Sequence, residues 1–466
     1  MFSLINIHAH SKVCKALIGC IATAYAVPFV FAADLKSSFD SALNYDPALH
    51  TAILAHNINL TRIPQVRSTL LPAINLTTQN SLSSGSYNFS ASDPLAKRSI
   101  RSNTQTFQVN FGLYRPAQNI ALSQAELQAK QTLAQIQLAE QDLMQRLLQA
   151  YVDLQIAQNQ KDVIGIQFKL QELQLSAARR GLLAGVKTLP DVYDAQSKLG
   201  ILKAQVVETA SQWRIKRQEL AKITGESVQE KLIGWPALND NFNLDEVVTK
   251  FDINTTTMIQ WVEYAKLDAP AVRVQAVAVE IALREIEKSR AAHLPTVDLT
   301  LSHSRSGSIG NSSAIQNYDS FNRATSFGVQ LTLPLYAGGG TTARVREALS
   351  AWEKAQFELE SAQLLVEGNA TQAFENILAA TAQIQALQAA IESAQLLVQS
   401  ITSGVRLGTH TLFDVATAEQ QLSVVRKDWR KARYDFIIQS FKLKGVVGSL
   451  ERGDFIVIDQ GFQNVL

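Results

Sequence analysis

The sequence predicts a mainly helical protein with four β-strands, built from two copies of one unit, whose strands belong to a transmembrane β-barrel that a single chain cannot close. Three observations carry this expectation. Residues around one turn recur at a fixed offset, two segments of 66 and 63 residues read as uninterrupted helix, and four short stretches alternate apolar and polar side chains.

The recurrence is specific. Gly181, Gly185, Thr188, Leu189, Asp191, Val192, Ala195 and Leu199 reappear 223 positions later as Gly404, Gly408, Thr411, Leu412, Asp414, Val415, Ala418 and Leu422. Composition alone would give roughly one such identity in so short a window, so the match marks a tandem duplication. The same offset carries Arg67, Leu71, Pro72 and Leu76 onto Arg290, Leu294, Pro295 and Leu299. The expected organisation is a first repeat over 33–224, a bridge over 225–255, a second repeat over 256–447 and a tail over 448–466.

Ahead of the first repeat, Lys12 and Lys15 precede an apolar run from Ala16 to Phe31, ending in Val30-Phe31-Ala32 before Ala33-Asp34. This reads as a secretory signal cut after Ala32, because the run is shorter than the ~20 residues of a spanning helix. Leu17-Ile18-Gly19-Cys20 also looks like a lipoprotein box, but only Ala16 separates it from Lys15, so its apolar segment follows the cut instead of preceding it. Both cysteines, Cys14 and Cys20, fall inside the signal, so the mature chain needs no disulfide. Its loss removes two of the 43 basic side chains and none of the 41 acids, and a chain in charge balance is a poor binder of nucleic acid.

The alternating stretches run roughly from Leu71 to Ser81, Thr106 to Tyr114, Leu294 to Ser304 and Ser326 to Tyr336, and each is expected to be a strand. Phe107, Val109, Phe111 and Leu113 face one way and Gln108, Asn110 and Gly112 the other. Each pair is expected to be joined by an exposed polar loop, Leu82 to Asn103 and Gly307 to Arg323.

The helical segments span Arg115 to Arg180 and Thr341 to Ser403, each close to 100 Å if continuous. In the first, Leu133, Ile136, Leu143, Leu147, Ala150, Leu154, Ala157, Ile164, Phe168 and Leu175 make one apolar seam, and Leu138, Leu148, Val152, Ile156, Val163, Ile166, Leu170 and Leu173 a second. A helix with two seams touches a neighbour on either side, which suits the wall of a cylinder. Glutamine supplies 15 of its 66 residues against 13 charged ones, unlike the Glu and Lys pairs of an ordinary coiled-coil surface. Return helices follow each turn, from about Pro190 to Ile223 and Leu412 to Val447.

Four strands cannot close a barrel, and open edges cannot face lipid, so the chain must oligomerise. Two copies give eight strands with a filled interior, and three give twelve with room for water. At the repeated turn, Asp191 and Asp414 are placed to cap the return helices, and the same acids with Asp194 could instead form carboxylate rings around a symmetry axis. Enzyme chemistry is poorly supported. Gly338-Gly339-Gly340 lacks a following Gly-Lys-Ser/Thr and reads as a sharp strand-to-helix turn, while His50, His56, His293 and His303 lack zinc spacing and read as surface or packing residues. Neither a cofactor nor a metal is expected.

Leu331-Thr332-Leu333-Pro334-Leu335-Tyr336-Ala337-Gly338-Gly339 entering a long helix, and Gly408-Thr409-His410-Thr411-Leu412-Phe413-Asp414-Val415 at the next turn, resemble the TolC family of outer-membrane efflux proteins, as does the tail from Ala432-Arg433-Tyr434 through Leu443 to Gly448. The resemblance implies a homotrimer with a twelve-stranded barrel in the outer membrane of a Gram-negative bacterium, an α-helical tunnel across the periplasm and a mixed α/β belt at its equator. It implies a passive exit duct for proteins or small toxic compounds, supplied by an inner-membrane ABC or other efflux pump through a periplasmic adaptor (membrane fusion) protein. The spacing of the matched turns is similar to the branch shared by type I secretion and multidrug efflux.

Carried over by position, the turns at 179–194 and 403–414 form the periplasmic tip. There Asp191, Asp194, His410 and Asp414 would line the pore constriction, and Gly181, Gly185, Gly404 and Gly408 would shape the adaptor-contacting turns. Pro334, Gly338 and Gly339 would make the strand-to-helix turn. Thr417 stands where some members have a second acid, and His410 where several have arginine; Arg115-Pro116 replaces the three glycines in the first copy. A periplasmic coiled-coil scaffold without a pore is the competing function. The cargo is not legible.

Overall fold

The computed structural model describes residues 35–87, 96–225, 257–312 and 318–455; the expected signal, nearly all of the 225–255 bridge and the end of the tail lie outside these described residues. The elements run α1 (Leu35–Tyr45), α2 (Pro47–Ser68), β1 (Ala73–Tyr87), β2 (Ala96–Tyr114), α3 (Pro116–Leu183), α4 (Leu189–Thr224), α5 (Met258–Asp268), α6 (Pro270–Ala291), β3 (Thr296–Ser312), β4 (Tyr318–Thr332), α7 (Gly340–Arg406) and α8 (Leu412–Val447). The 223-residue shift maps α1 onto α5, α2 onto α6 and α4 onto α8 at both ends of each helix.

Local chemistry fixes these boundaries. Asp46 caps α2 by accepting the Leu49 N–H at 2.9 Å, with Pro47 at the first helical position, where its missing N–H leaves no bond unmade. Thr257 and Gln260 form a capping box on α5, and Pro270 starts α6 as Pro47 starts α2. The long helices α3 and α7 hold together by packing rather than by intrinsic propensity. α3 lies along α2, α4 and α6, and α7 along α6 and α8.

The main core is at mid-height. Leu143, Leu147, Leu148, Tyr151 and Leu154 of α3 meet Ala370, Ile377 and Ile384 of α7 and Phe436, Ile437 and Phe441 of α8. Phe455 stacks on Phe39 of α1 at 4.8 Å and meets Phe441 edge-on at 5.2 Å, so the C-terminal segment is bound into this layer. Each such side chain contributes roughly 1.5–3 kcal/mol by leaving water. Not every seam position is covered. Leu133, Leu138, Ile166 and Leu173 remain exposed on the protomer.

The strands form one antiparallel sheet in the order β1-β2-β3-β4, the two hairpins joined through β2 and β3, with β1 and β4 at its free edges. Two expectations are corrected here. The strands are longer than the alternating stretches, since most of Leu82 to Asn103 and Gly307 to Arg323 is paired, for example Ser83 with Ile100 and Gly307 with Phe321. These Ser- and Gly-rich segments have weak strand propensity, and a continuous ladder of backbone hydrogen bonds overrides it. Conversely, β4 stops at Thr332 instead of reaching Tyr336, because Pro334 cannot donate to a ladder. A bulge between Gly112 and Tyr114 also pairs Tyr114, not Leu113, with Val297.

The sheet is inverted relative to a water-soluble one. Along β2 and β3 the residues Arg101, Asn103, Gln105, Phe107, Leu301, His303 and Arg305 are exposed, whereas Ser102, Thr104, Thr106, Gln108, Ser302 and Ser304 are half-buried. The sheet therefore curls with its polar face inward. Next to the helices, the outward face carries Ile74, Leu76, Phe107, Val109, Phe111, Val297, Leu299, Leu301, Phe327, Val329 and Leu331 as a continuous apolar band, with Phe327 70% exposed. No helix among the described residues is long and apolar enough to cross a membrane.

Candidate functional site

The two repeated turns lie at the helix ends far from the sheet. α3 ends where Gly181 accepts the Val186 N–H at 2.9 Å, and α7 ends where Gly404 accepts the Thr409 N–H at 2.9 Å. Each turn needs one left-handed residue, Gly185 (φ 73°) and Gly408 (φ 78°), a conformation that a Cβ penalises. Gly181 and Gly404 are demanded by space instead. A Cβ there would strike the Lys187 or the His410 side chain, which occupy equivalent places in the two copies.

Thr188 and Thr411 then start the return helices. The Asp191 carboxylate accepts from the Thr188 N–H and hydroxyl, both at 2.8 Å, and Asp414 accepts from Thr411 at 2.8 and 2.9 Å. In the second copy the Asp414 N–H donates back to the Thr411 hydroxyl at 3.2 Å. These backbone and hydroxyl bonds hold both carboxylates below the usual carboxylate range, with Lys187 and His410 adding to the effect. Both acids are therefore charged at neutral pH while serving as caps.

The two copies differ in the third acid. Asp194 pairs with Lys198 at 2.7 Å, whereas the second copy has Thr417 and Gln421 at these positions. His410 Nδ1 sits 3.7 Å from Asp414. Among the described residues no group of His, Cys, Asp or Glu is arranged to hold a metal ion.

Little holds the end of the α3–α4 pair together. Beyond the main core its buried apolar cluster is small, Leu175, Val192 and Ala195 with Ala178, Leu182 and Leu199 beside them, joined by the bond from the Gln171 amide to the Ala195 carbonyl at 3.2 Å. Apolar side chains instead face outward at the turns: Leu183, 89% exposed, with Val186, Leu189, Leu407 and Phe413. A thinly packed end of this kind opens at lower cost than the core.

At the other end of the long helices, the strand-to-helix connections differ between copies. Beyond Pro334, Gly338 (φ 61°) and Gly339 (φ 81°) are both left-handed, and Gly339 accepts the Ala343 N–H at 3.0 Å as α7 begins. In the first copy Arg115 (φ −136°, ψ 78°) precedes Pro116, which starts α3. Its guanidinium Nε donates to Asp298 on β3 at 2.7 Å, a bond no sequence pattern announced. Lys187 could have been found from the sequence, because it occupies the position of His410 under the 223-residue shift.

Comparison with known proteins agrees with this architecture. The family model described as outer membrane efflux protein matches residues 39–226 and again 261–449. The chain is 25% identical over 456 residues to the outer membrane protein TolC of Vibrio cholerae, covering 96% of this chain and 97% of that protein. It is 24% identical to the alkaline protease secretion protein AprF of Pseudomonas aeruginosa, over 93% of this chain and 88% of that one. Among solved structures, the transmembrane channel protein CusC superposes with a TM-score of 0.70 at 16% identity, over 90% of this chain and 92% of its own.

Proposed function

This chain belongs to the outer membrane efflux protein family, and we propose that three copies of it assemble as the passive exit duct of a tripartite efflux or type I secretion system. It is an outer-membrane protein whose relatives include secretion and efflux channels. The observation that carries the pore is the inverted sheet. A scaffold in water would turn Phe107, Leu301 and Phe327 inward, whereas a barrel in lipid turns them outward and keeps Ser, Thr and Gln around its water-filled interior.

Oligomerisation is supported by a difference between equivalent helices. α6 lies between α3 and α7, with Val277 6% exposed; Leu54, its counterpart on α2, is 61% exposed. Among the described residues α2 packs on α3 and on no second long helix, so it awaits the α7 of a neighbour. Edges β1 and β4 are to pair across the same boundary, giving twelve strands in a trimer.

At the far end, threefold symmetry would multiply Asp191, Asp194, His410 and Asp414 into rings that narrow the duct and favour cations. The exposed Leu183, Val186, Leu407 and Phe413 suit contact with a periplasmic adaptor, which links the duct to an inner-membrane pump. Cysteines introduced into β1 and β4 test the assembly. Oxidation of the detergent-solubilised protein should give a covalent trimer, and a ladder that stops at dimer, or no cross-link at any register, would refute it.

A further inference from the structure

The outward face of the sheet changes character beyond the apolar band. Two residues past the row of Leu76, Phe107, His303 and Thr325 comes the row Thr78, Gln105, Arg305 and Arg323, in which two arginines stand directly opposite each other on adjacent strands. Both guanidinium groups lie 4.8 Å from the ring of Phe321. Arg101 follows two rows on, on the same face. Like charges facing across a ladder destabilise a sheet. An anion between them would turn that repulsion into attraction.

The height of this row says where the anion comes from. With a rise of ~3.4 Å per residue and a tilt of ~40°, the stretch of β2 from Tyr114 to Gln105 climbs on the order of 25 Å, the thickness of the apolar belt of an outer-membrane barrel. Tyr114 thus marks the interface on the helical side. The arginine row marks the opposite, extracellular one, where lipid headgroups lie.

We propose that Arg305 and Arg323, braced by Phe321, bind the phosphate of an outer-leaflet glycolipid, with its acyl chains lying along the apolar band below. The assignment rests on the reading of this face as lipid-facing. Two planar guanidinium groups offer paired N–H donors that match phosphate oxygens, and the arginines cost least where their charge reaches the headgroup layer.

The test uses the full-length protein in detergent, titrated with bisphosphorylated lipid A, with its dephosphorylated form and with inorganic phosphate, and read by native mass spectrometry. Wild type should bind the phosphorylated lipid at least ~10-fold more tightly than R305Q/R323Q, and the dephosphorylated lipid no better than that variant does. R305K/R323K, which keeps the charge, should retain part of the affinity. Equal binding by wild type and R305Q/R323Q would overturn the proposal. So would displacement of the lipid by equimolar inorganic phosphate, which would make this a free-phosphate site. Bilayer conductance of R305Q/R323Q should stay at the wild-type level, which keeps this test separate from that of the duct itself.

Discussion

Arg115 and Asp298, 183 residues apart, are joined at 2.7 Å and tie the start of α3 to the base of β3. The bond joins the two copies where sheet passes into helix. Gly112 makes it possible, because a Cβ there would strike the folded-back Arg115 side chain. Both groups are about 30% exposed, so replacing Arg115 with Ala should cost roughly 0.5–1.5 kcal/mol. A double-mutant cycle with Asp298→Asn, read by chemical denaturation, should show coupling of the same order; additive effects would mean that the pair does not interact.

Leu54 and Val277 should respond differently to mutation although they are equivalent by duplication. Leu54→Arg should leave the protomer folded and shift detergent-solubilised protein from trimer towards monomer by size exclusion. Val277→Ala should keep the trimer and lower stability by roughly 1–3 kcal/mol through lost packing. The same outcome for both would remove the argument for an interface at α2.

The turns were legible because their geometry admits few residues. Gly185 and Gly408 must be left-handed, and Thr188 with Asp191 and Thr411 with Asp414 must cap, so both copies kept the same letters. The upper strands were not legible. Ser83, Ser84 and Gly85 show no apolar alternation, because a polar lumen and a polar rim ask for similar residues on both faces. Arg115–Asp298 and the Arg305–Arg323 row were equally hidden, since strand register, not local spacing, brings them together. Leu54 and Val277 look alike as letters and differ only in what surrounds them.

The caps predict a pH dependence of known sign. Asp191 and Asp414 have carboxyls held below the ordinary 3.8, chiefly by the Thr188 and Thr411 backbone N–H bonds, so their contribution is complete above that value and is lost as pH falls through the lowered one. Amide protection at Thr188 and Thr411, taken relative to the intrinsic exchange rate at each pH, should hold down to about pH 4 and fall below it. Asp191→Asn and Asp414→Asn should flatten that dependence, and an unchanged profile would show that protonation there does not control the turns.

Gly339 should resist substitution for conformational reasons alone. No atom stands near its missing Cβ, yet φ is 81°, so Gly339→Ala should cost roughly 1 kcal/mol, read by chemical denaturation. Gly200, inside α4 with similar open space, serves as the control, and its alanine variant should be neutral or slightly stabilised.

The most direct measurement is single-channel recording of the purified full-length protein in planar bilayers, wild type beside the Asp191→Asn, Asp194→Asn and Asp414→Asn triple variant. Wild-type trimers should give discrete, cation-preferring conductance, with the preference reduced in the variant as the carboxylate rings are neutralised. A stable water-soluble monomer with no bilayer conductance would contradict it.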